Sequence, residues 1–523
     1  MIQPDYIFET SWEVCNRVGG IYAVLSTRAA SMQAEHPDKV FFFGPDFGAH
    51  SDIFFQEDKS LLKEWRKTFA NRQLPIALRI GRWQVPGEPI AILLKADALW
   101  EKKDEIYAWA WNQYGVQSHA AYGDYDESCL FGYAAGMVME SLYYWLKGEW
   151  AKGQKGESPR FCAHANEWQT GFSVLYLHDH CPEVATLFTT HATGIGRSIA
   201  GNGKPLYDYF EGYNGDQMAQ ELNMVSKHSA EKAAAHYADC FTTVSDITAR
   251  ECKQLLDKAP DVVTPNGFEP DFVPGKKDFA AKRAAARAAL KSVASQQLGG
   301  VVPENAMFVC IAGRQEWKNK GIDVFASVLD KLAQKIYHSQ QPEREVIAFV
   351  MIPYLDRAPS RKGKVSAVFV PYYLDGHDPL FGMRYYDLLI GMDVTVFPSY
   401  YEPWGYTPLE SCAFRVPTIT TSLAGYGEWA QRHFGAYDWE DGVITVNRTD
   451  SNYQQVVDQI TDALYTYLHA SPEEVEMSRK EAAGVAHRAE WRFFFRYYRD
   501  AYAFALKKAA KRMKELTSER VKE

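Results

Sequence analysis

The sequence predicts two α/β domains built on parallel sheets, with a ligand cleft outside the carboxyl ends of the strands and a helical segment crossing back from the second domain to the first. Three observations predict it. Short apolar runs alternate with helical patterns throughout the 523 residues, which is the rhythm of βαβ units. The stretch VTPNGFEPDFVPGKKDF, dense in Pro, Gly, Asn and Asp, interrupts that rhythm and marks a linker. From Ser478 onward the pattern is helical, with aromatics crowded into WRFFFRYYRDAYAFAL. The expected division is 1–271, 272–478 and 479–523, the last part packing on the first.

Taken in order, the candidate strands of the first half are YIFET, KVFFFGP, PIAILLKA, RFCAHA, VATLFTTH and CFTTVS; those of the second are MFVCIAG, EVIAFVMIP, SAVFV, DVTVFPS and TITT. Ala280 to Gln297 is rich in Ala, Lys and Arg and reads as a helix by propensity. The helix after MFVCIAG carries Ile322, Phe325, Val328, Leu329, Leu332 and Ile336 on one face, which fixes where the loop before it lies.

Composition narrows the function. A net charge of −9 argues against a polyanion-binding surface, so nucleic acid is not an expected partner. The N-terminus lacks a basic region followed by an apolar core, and no run of about 18 apolar residues occurs, so neither export nor a membrane partner is expected, and a cytoplasmic location is. Eight cysteines without a C-x-x-C pair read as reduced thiols. Asp124 and Asp126 form a D-x-D that reads as a helix-start turn and not as a metal site.

The chemistry concentrates at strand ends. The turn SYYEPWGYTPLE, Ser399 to Glu410, reads as the link between a strand and a helix, with Thr407 as N-cap, Pro408 at the first helical position and Glu410 three residues after the cap. The amides of such an end attract anions. Arg314 and Lys320, in GRQEWKNKG, bring two cations to another strand end, where they suit a diphosphate. Asn16 to Gly20 runs into a helical pattern, and its paired glycines allow close approach of a phosphate beside Arg17. HANEWQTG and HATGIGRSIAG each follow a strand and would deliver Glu167, His191 and Arg197 to the same edge. Ile199 takes the third glycine position after Gly194 and Gly196, so no dinucleotide fingerprint is present, and GNGK continues into Pro205, so it is no Walker loop.

Together these motifs resemble the glycogen synthases of the eukaryotic type, retaining glycosyltransferases with two facing Rossmann-like domains, the GT-B fold. The matching stretches are ETSWEVCNRVGGIYAVLSTRA, HANEWQTG, FTTHATGIGR, VTPNGF, GR followed by NKG, and FPSYYEPWGYTPLE. The resemblance implies transfer of glucose from UDP-glucose to the non-reducing end of glycogen or a malto-oligosaccharide, with no cofactor and no metal. It implies that Glu402 is the carboxylate at the donor glucose and that Glu410 binds the ribose hydroxyls. Amides of Gly405, Tyr406 and Thr407, in the turn that also holds Trp404, would grip the diphosphate, which Arg314 and Lys320 neutralise as it leaves. Tyr385 would stack on the uracil, Glu167, His191 and Arg197 would line the glucose and acceptor site, and Arg17, Gly19 and Gly20 would close over the donor.

Three departures from the family pattern stand out. Asn166 occupies a position where relatives carry a second His. The region SRKEAAGVAHRAEWR offers few arginines for glucose 6-phosphate, so weak or absent activation is expected. The segment after Phe279 is short for a long helical assembly insert, which leaves a homo-oligomer open. The competing expectations are an ADP-glucose-dependent starch or glycogen synthase, a pyridoxal-phosphate phosphorylase and a glucan-binding homologue without catalysis.

Overall fold

The apolar runs of the first half assemble into one sheet and those of the second half into another. In the computed structural model, which describes residues 2–153, 156–339 and 344–520, the first sheet has nine strands: β1 (Tyr6–Thr10), β2 (Val40–Pro45), β3 (Phe55–Glu57), β4 (Ala77–Trp83), β5 (Ile90–Lys95), β6 (Phe161–Asn166), β7 (Ala185–Thr190), β8 (Cys240–Thr243) and β9 (Val262–Val263). Their order is β3-β4-β5-β2-β1-β6-β7-β8-β9. From β5 to β9 every pairing is parallel, whereas β3 and β4 add an antiparallel edge. β2, β6 and β7 are buried along their whole length, as continuous apolar strands covered on both faces must be. The edge was not expected, because ALRIGRW mixes Arg and Gly into its apolar positions.

The second sheet comprises β10 (Met307–Ala312), β11 (Val346–Met351), β12 (Ser360–Lys362), β13 (Val365–Phe369), β14 (Val394–Val396), β15 (Thr418–Thr421) and β16 (Val443–Val446). The order is β12-β13-β11-β10-β14-β15-β16, parallel except for the exposed edge strand β12. The helix Ile322–His338 buries the six residues expected of it. The helix Lys276–Leu298 starts before the expected Ala280 and is fastened beside β14 by Arg283 and Arg287, whose guanidinium groups lie 2.8 and 3.0 Å from Asp393.

In each sheet the chain order reverses about one strand. β1 lies between β2 and β6, and β10 between β11 and β14. The connections on either side of such a strand diverge to opposite faces and leave a crevice at its carboxyl end, where open α/β sheets bind ligands.

The chain divides into two units. Unit 1 takes the chain up to Ile199, Phe210–Gly267 and the run from Trp491; unit 2 takes Ala200–Tyr209 and Phe268–Glu490. Against the expected 1–271, 272–478 and 479–523, two differences have physical causes. The helix Pro472–Arg488, started by a Ser471–Glu474 capping box, stays in unit 2, and only the helix Trp491–Arg520 belongs to unit 1. There Trp491 donates to Thr27 (2.8 Å), Tyr498 lies under Arg28 (4.2 Å), and Arg512 pairs with Asp239. The strap Ala200–Tyr209 belongs to unit 2 because Leu206 N donates to the Tyr400 hydroxyl (3.0 Å) and Tyr207 N to Asp450 (2.8 Å). Its sequence is a loop with no periodicity to announce it. Among the described residues no helix is long and apolar enough to cross a membrane, and the eight cysteines are free and buried.

Candidate functional site

In unit 2 the loops after β10 and β14 meet at the crevice. Gly321, at φ +70°, caps the helix Ile322–His338, and a Cβ there would fall 2.0 Å from the Pro398 carbonyl oxygen. The glycine therefore lets the two loops close on one another. The Asn319 carbonyl then accepts from the amides of Tyr400 (2.9 Å) and Tyr401 (3.2 Å). The result is an ion pair between Lys320 and Glu402, both largely enclosed. Arg314 leaves the carboxyl end of β10 more openly, 57% exposed, with Glu316 at 2.8 Å.

The helix after this turn starts differently from the expectation. Gly405, with φ 106°, is the N-cap of Tyr406–Ala413 and offers no side-chain cap. Thr407 is the second helical residue, and no capping box forms. Glu410 instead accepts from the Tyr386 hydroxyl at 2.7 Å. Glycine wins the cap because only it enters the left-handed region without strain. Gly405 therefore brings no side chain of its own to the first amides of the helix, the groups that attract anions at such an end. Trp404 is a second correction: only 4% exposed, its ring packs against Tyr426 and Trp429 (centroids 6.0 and 6.2 Å), so it braces the turn from the core side. Tyr385 opens the short helix Tyr385–Leu389 with its hydroxyl buried and without a partner, and lies 5.9 Å from the Tyr386 ring.

In unit 1 the corresponding edge is the end of β1, β6 and β7. The paired glycines do begin a helix, Gly20–Glu35. Its amides are not open, however, because the Glu13 carboxylate accepts from Gly19 N (2.7 Å) and Tyr22 N (2.8 Å). A carboxylate six residues upstream thus fills the place expected for a phosphate, and the exposed Arg17 lies 5.8 Å from the Tyr22 ring.

Glu167, just past β6 at φ +69°, turns its carboxylate to the amides of His191 (2.8 Å) and Ala192 (3.3 Å). Burial pushes its carboxyl up to about 7, although Arg197 and the two amides pull the other way. His191 is buried, and burial, Arg28 and His164 hold its imidazole down at about 3, so it is neutral. Asn166 sets its tautomer. The Asn166 amide nitrogen must face two acceptors, Glu9 Oε1 (2.7 Å) and the Thr10 carbonyl (3.2 Å). Its oxygen therefore faces His191 Nε2 (3.0 Å), and the ring donates to it. His191 Nδ1, buried and without a partner, is left with a lone pair that can accept from a hydroxyl. Asn166 thereby does what the departure from the family pattern left open. Arg197 is exposed on the helix Gly194–Gly201.

The structure brings Glu167, His191 and Arg197 together in unit 1, and Lys320 and Glu402 next to Gly405 in unit 2, whereas Arg314 pairs only with Glu316 among the described residues. Sequence reasoning missed Glu13, Asn319, Tyr386 and Glu231. The last was findable, since it is an acid on an otherwise Ala-rich buried helix face. The D-x-D is bonded locally: Asp126 accepts from Lys103 (3.2 Å) and Tyr107 (2.5 Å), and Asp124 from Lys227 (2.6 Å). Among the described residues no group of three or more His, Cys, Asp or Glu is placed to hold a metal.

The family model described as glycogen synthase matches residues 9–359 and 357–523. The chain belongs to the glycogen synthase family. It is 26% identical over 614 residues to the liver glycogen [starch] synthase of Homo sapiens, covering 97% of this chain and 84% of that one. To the glycogen [starch] synthase of Dictyostelium discoideum it is 25% identical over 607 residues, covering 96% and 67%. Among solved structures, the catalytic domain of starch synthase IV from Arabidopsis thaliana bound to ADP and acarbose is similar with a TM-score of 0.58 at 14% identity, covering 96% of this chain and 99% of that one. A UDP-forming α,α-trehalose-phosphate synthase from Burkholderia vietnamiensis gives 0.54 at 12%, covering 96% and 99%. At such identity the likeness speaks for the fold, the expected GT-B.

Proposed function

We propose that this member of the glycogen synthase family transfers glucose from UDP-glucose to the non-reducing end of an α-1,4-glucan with retention of configuration. The observation that carries the reading is the Lys320–Glu402 ion pair beside the start of the helix Tyr406–Ala413, whose N-cap Gly405 has no side chain. Breaking the bond from the anomeric carbon to the diphosphate sends the electron pair onto the leaving oxygen and leaves an oxocarbenium-like centre. Arg314, Lys320 and the amides of Gly405, Tyr406 and Thr407 stabilise the first, and the Glu402 carboxylate the second. The acceptor hydroxyl then bonds to the anomeric carbon from the face the diphosphate leaves, and its proton passes to the departing phosphate oxygen. This path retains configuration, and neither a metal nor a cofactor takes part in it.

Tyr385 stacks on the uracil, and Glu410, oriented by Tyr386, holds the ribose hydroxyls. In unit 1, neutral His191 accepts from a sugar hydroxyl through Nδ1, while Glu167 and Arg197 bind further hydroxyls of glucose and acceptor. A donor panel with glycogen tests the proposal. Release of UDP from UDP-glucose at a kcat/KM well above that for ADP-glucose supports it. A preference for ADP-glucose would move the chain to the other donor class, and binding of glycogen without transfer from either donor would refute catalysis.

A further inference from the structure

The loop that carries His191 is held by a carboxylate that the mechanism does not use. Three residues, His191 to Thr193, link β7, which ends at Thr190, to the helix that starts at Gly194. Glu231, on the helix Val225–Tyr237 and 1% exposed, spans both ends of the link. One of its oxygens accepts from the Thr190 hydroxyl and the other from Gly194 N at 2.9 Å. A second acid, Glu251 on the helix Asp246–Leu255, accepts from the Thr193 hydroxyl at 2.6 Å, and that hydroxyl in turn accepts from Gly196 N at 3.1 Å. A Cβ at position 196 would lie 2.0 Å from Glu251 Oε1, so the helix start is seated directly on that carboxyl.

We propose that Glu231 is a positioning residue for the transfer reaction: by bridging Thr190 and Gly194 it fixes the turn from which His191 and, one helical turn on, Arg197 reach the sugar. Its kinetic consequences rest on the function proposed above; the bridge itself does not. Glu251 acts as a second brace on the same turn.

The charge state of the bridge follows from its surroundings. Burial, with Glu167 and Glu251 facing it, pushes the Glu231 carboxyl up to about 8, against the pull of Thr190 and Gly194. The cations beside it on its own helix are engaged elsewhere, Lys227 with Asp124, and His228 and Lys232 with Asp216. Near neutral pH the group is mostly a neutral acid, which a glutamine imitates in shape and charge. At higher pH a further negative charge enters an enclosure already shared with two carboxyl groups.

The full-length chain tests this with Glu231→Ala and Glu231→Gln. Hydrogen exchange over residues 190–194 is read together with kcat and UDP affinity across pH. In Glu231→Ala the Gly194 amide loses its acceptor, exchange speeds up about tenfold or more, and kcat falls about tenfold or more while UDP affinity stays within about twofold. Glu231→Gln keeps the protection and the neutral-pH kcat, and shows a smaller decline in rate above about pH 8 than the wild-type chain. Unchanged exchange in Glu231→Ala overturns the proposal, and so does an alkaline profile in Glu231→Gln that is the same as that of the wild-type chain. If the wild-type chain transfers no glucose at all, the function is refuted instead, and the exchange result alone decides the bridge.

Discussion

The carboxyl edges of the two sheets solve different problems. In unit 1 the polar groups other than the exposed Arg197 are enclosed and bonded to one another: Glu9, Asn166 and His191 form one chain, and Glu167, Glu231 and Glu251 clasp one loop. In unit 2 one ion pair joins two loops, Arg314 stands half in solvent, and a helix start has no side-chain cap. A group that must direct hydroxyls needs a fixed tautomer and angle, which burial and hydrogen bonds supply. Groups that receive a diphosphate from water must remain reachable and positively charged, and an exposed arginine beside a helix N-terminus does so. The difference assigns geometry to unit 1 and charge to unit 2.

The strongest way to break that assignment is at Glu402. Glu402→Gln should lower kcat by about 100-fold or more, since stabilisation in the transition state is lost, while calorimetric binding of UDP stays within about twofold. Near-normal turnover removes Glu402 from the reaction. Lys320→Ala should cost about 100-fold in kcat/KM, because the leaving diphosphate loses a cation and Glu402 loses its partner; steady-state kinetics with UDP-glucose reads it, and a loss confined to the acceptor KM would contradict the division of labour.

Tyr385→Ala should weaken UDP binding about tenfold, the order of a lost base–aromatic stack, with a smaller effect on kcat. An unchanged dissociation constant assigns the base to another surface. The enclosure of unit 1 makes a pH prediction. Glu167 and Glu231 are raised from 4.5 to about 7 and about 8 in the folded chain. The stability they contribute is fully present below the unfolded value and lost as pH rises through the folded values. Between about pH 5.5 and about pH 8.5, calorimetry should therefore show the wild-type melting temperature falling by about 2 °C more than that of Glu231→Gln. The smallest effect expected is that of glucose 6-phosphate: Arg479 is buried, with burial and then Arg283 holding its guanidinium down at about 10, so added effector should change the rate by less than about twofold. A robust increase would show that the Arg479 region opens to the effector.

Much of this was legible because the information is local. Apolar runs such as VFFFGP and MFVCIA have one reasonable reading, and residues just past them must fall at the strand ends. What escaped were long-range choices. That Glu13 and not a ligand fills the start of the helix Gly20–Glu35 depends on a turn bringing back a residue six positions upstream. That Thr407 is not the cap depends on Gly405 reaching φ 106°, which a spacing rule ignores. Trp404 was expected in the binding turn, but its buried ring packs on Tyr426 and Trp429, partners more than twenty positions away that a local reading does not supply. The strap Ala200–Tyr209 carries no periodicity, and its place is decided by Tyr400 and Asp450, 194 and 243 positions away from their partners Leu206 and Tyr207.

The central claim is transfer from UDP-glucose with retention, and it is tested most directly by following the wild-type chain with UDP-glucose and a malto-oligosaccharide by proton NMR. The account predicts that the first new anomeric signals are those of α-1,4-linked glucose, appearing in step with UDP. A β-linked product, or UDP released with free glucose alone, would contradict it.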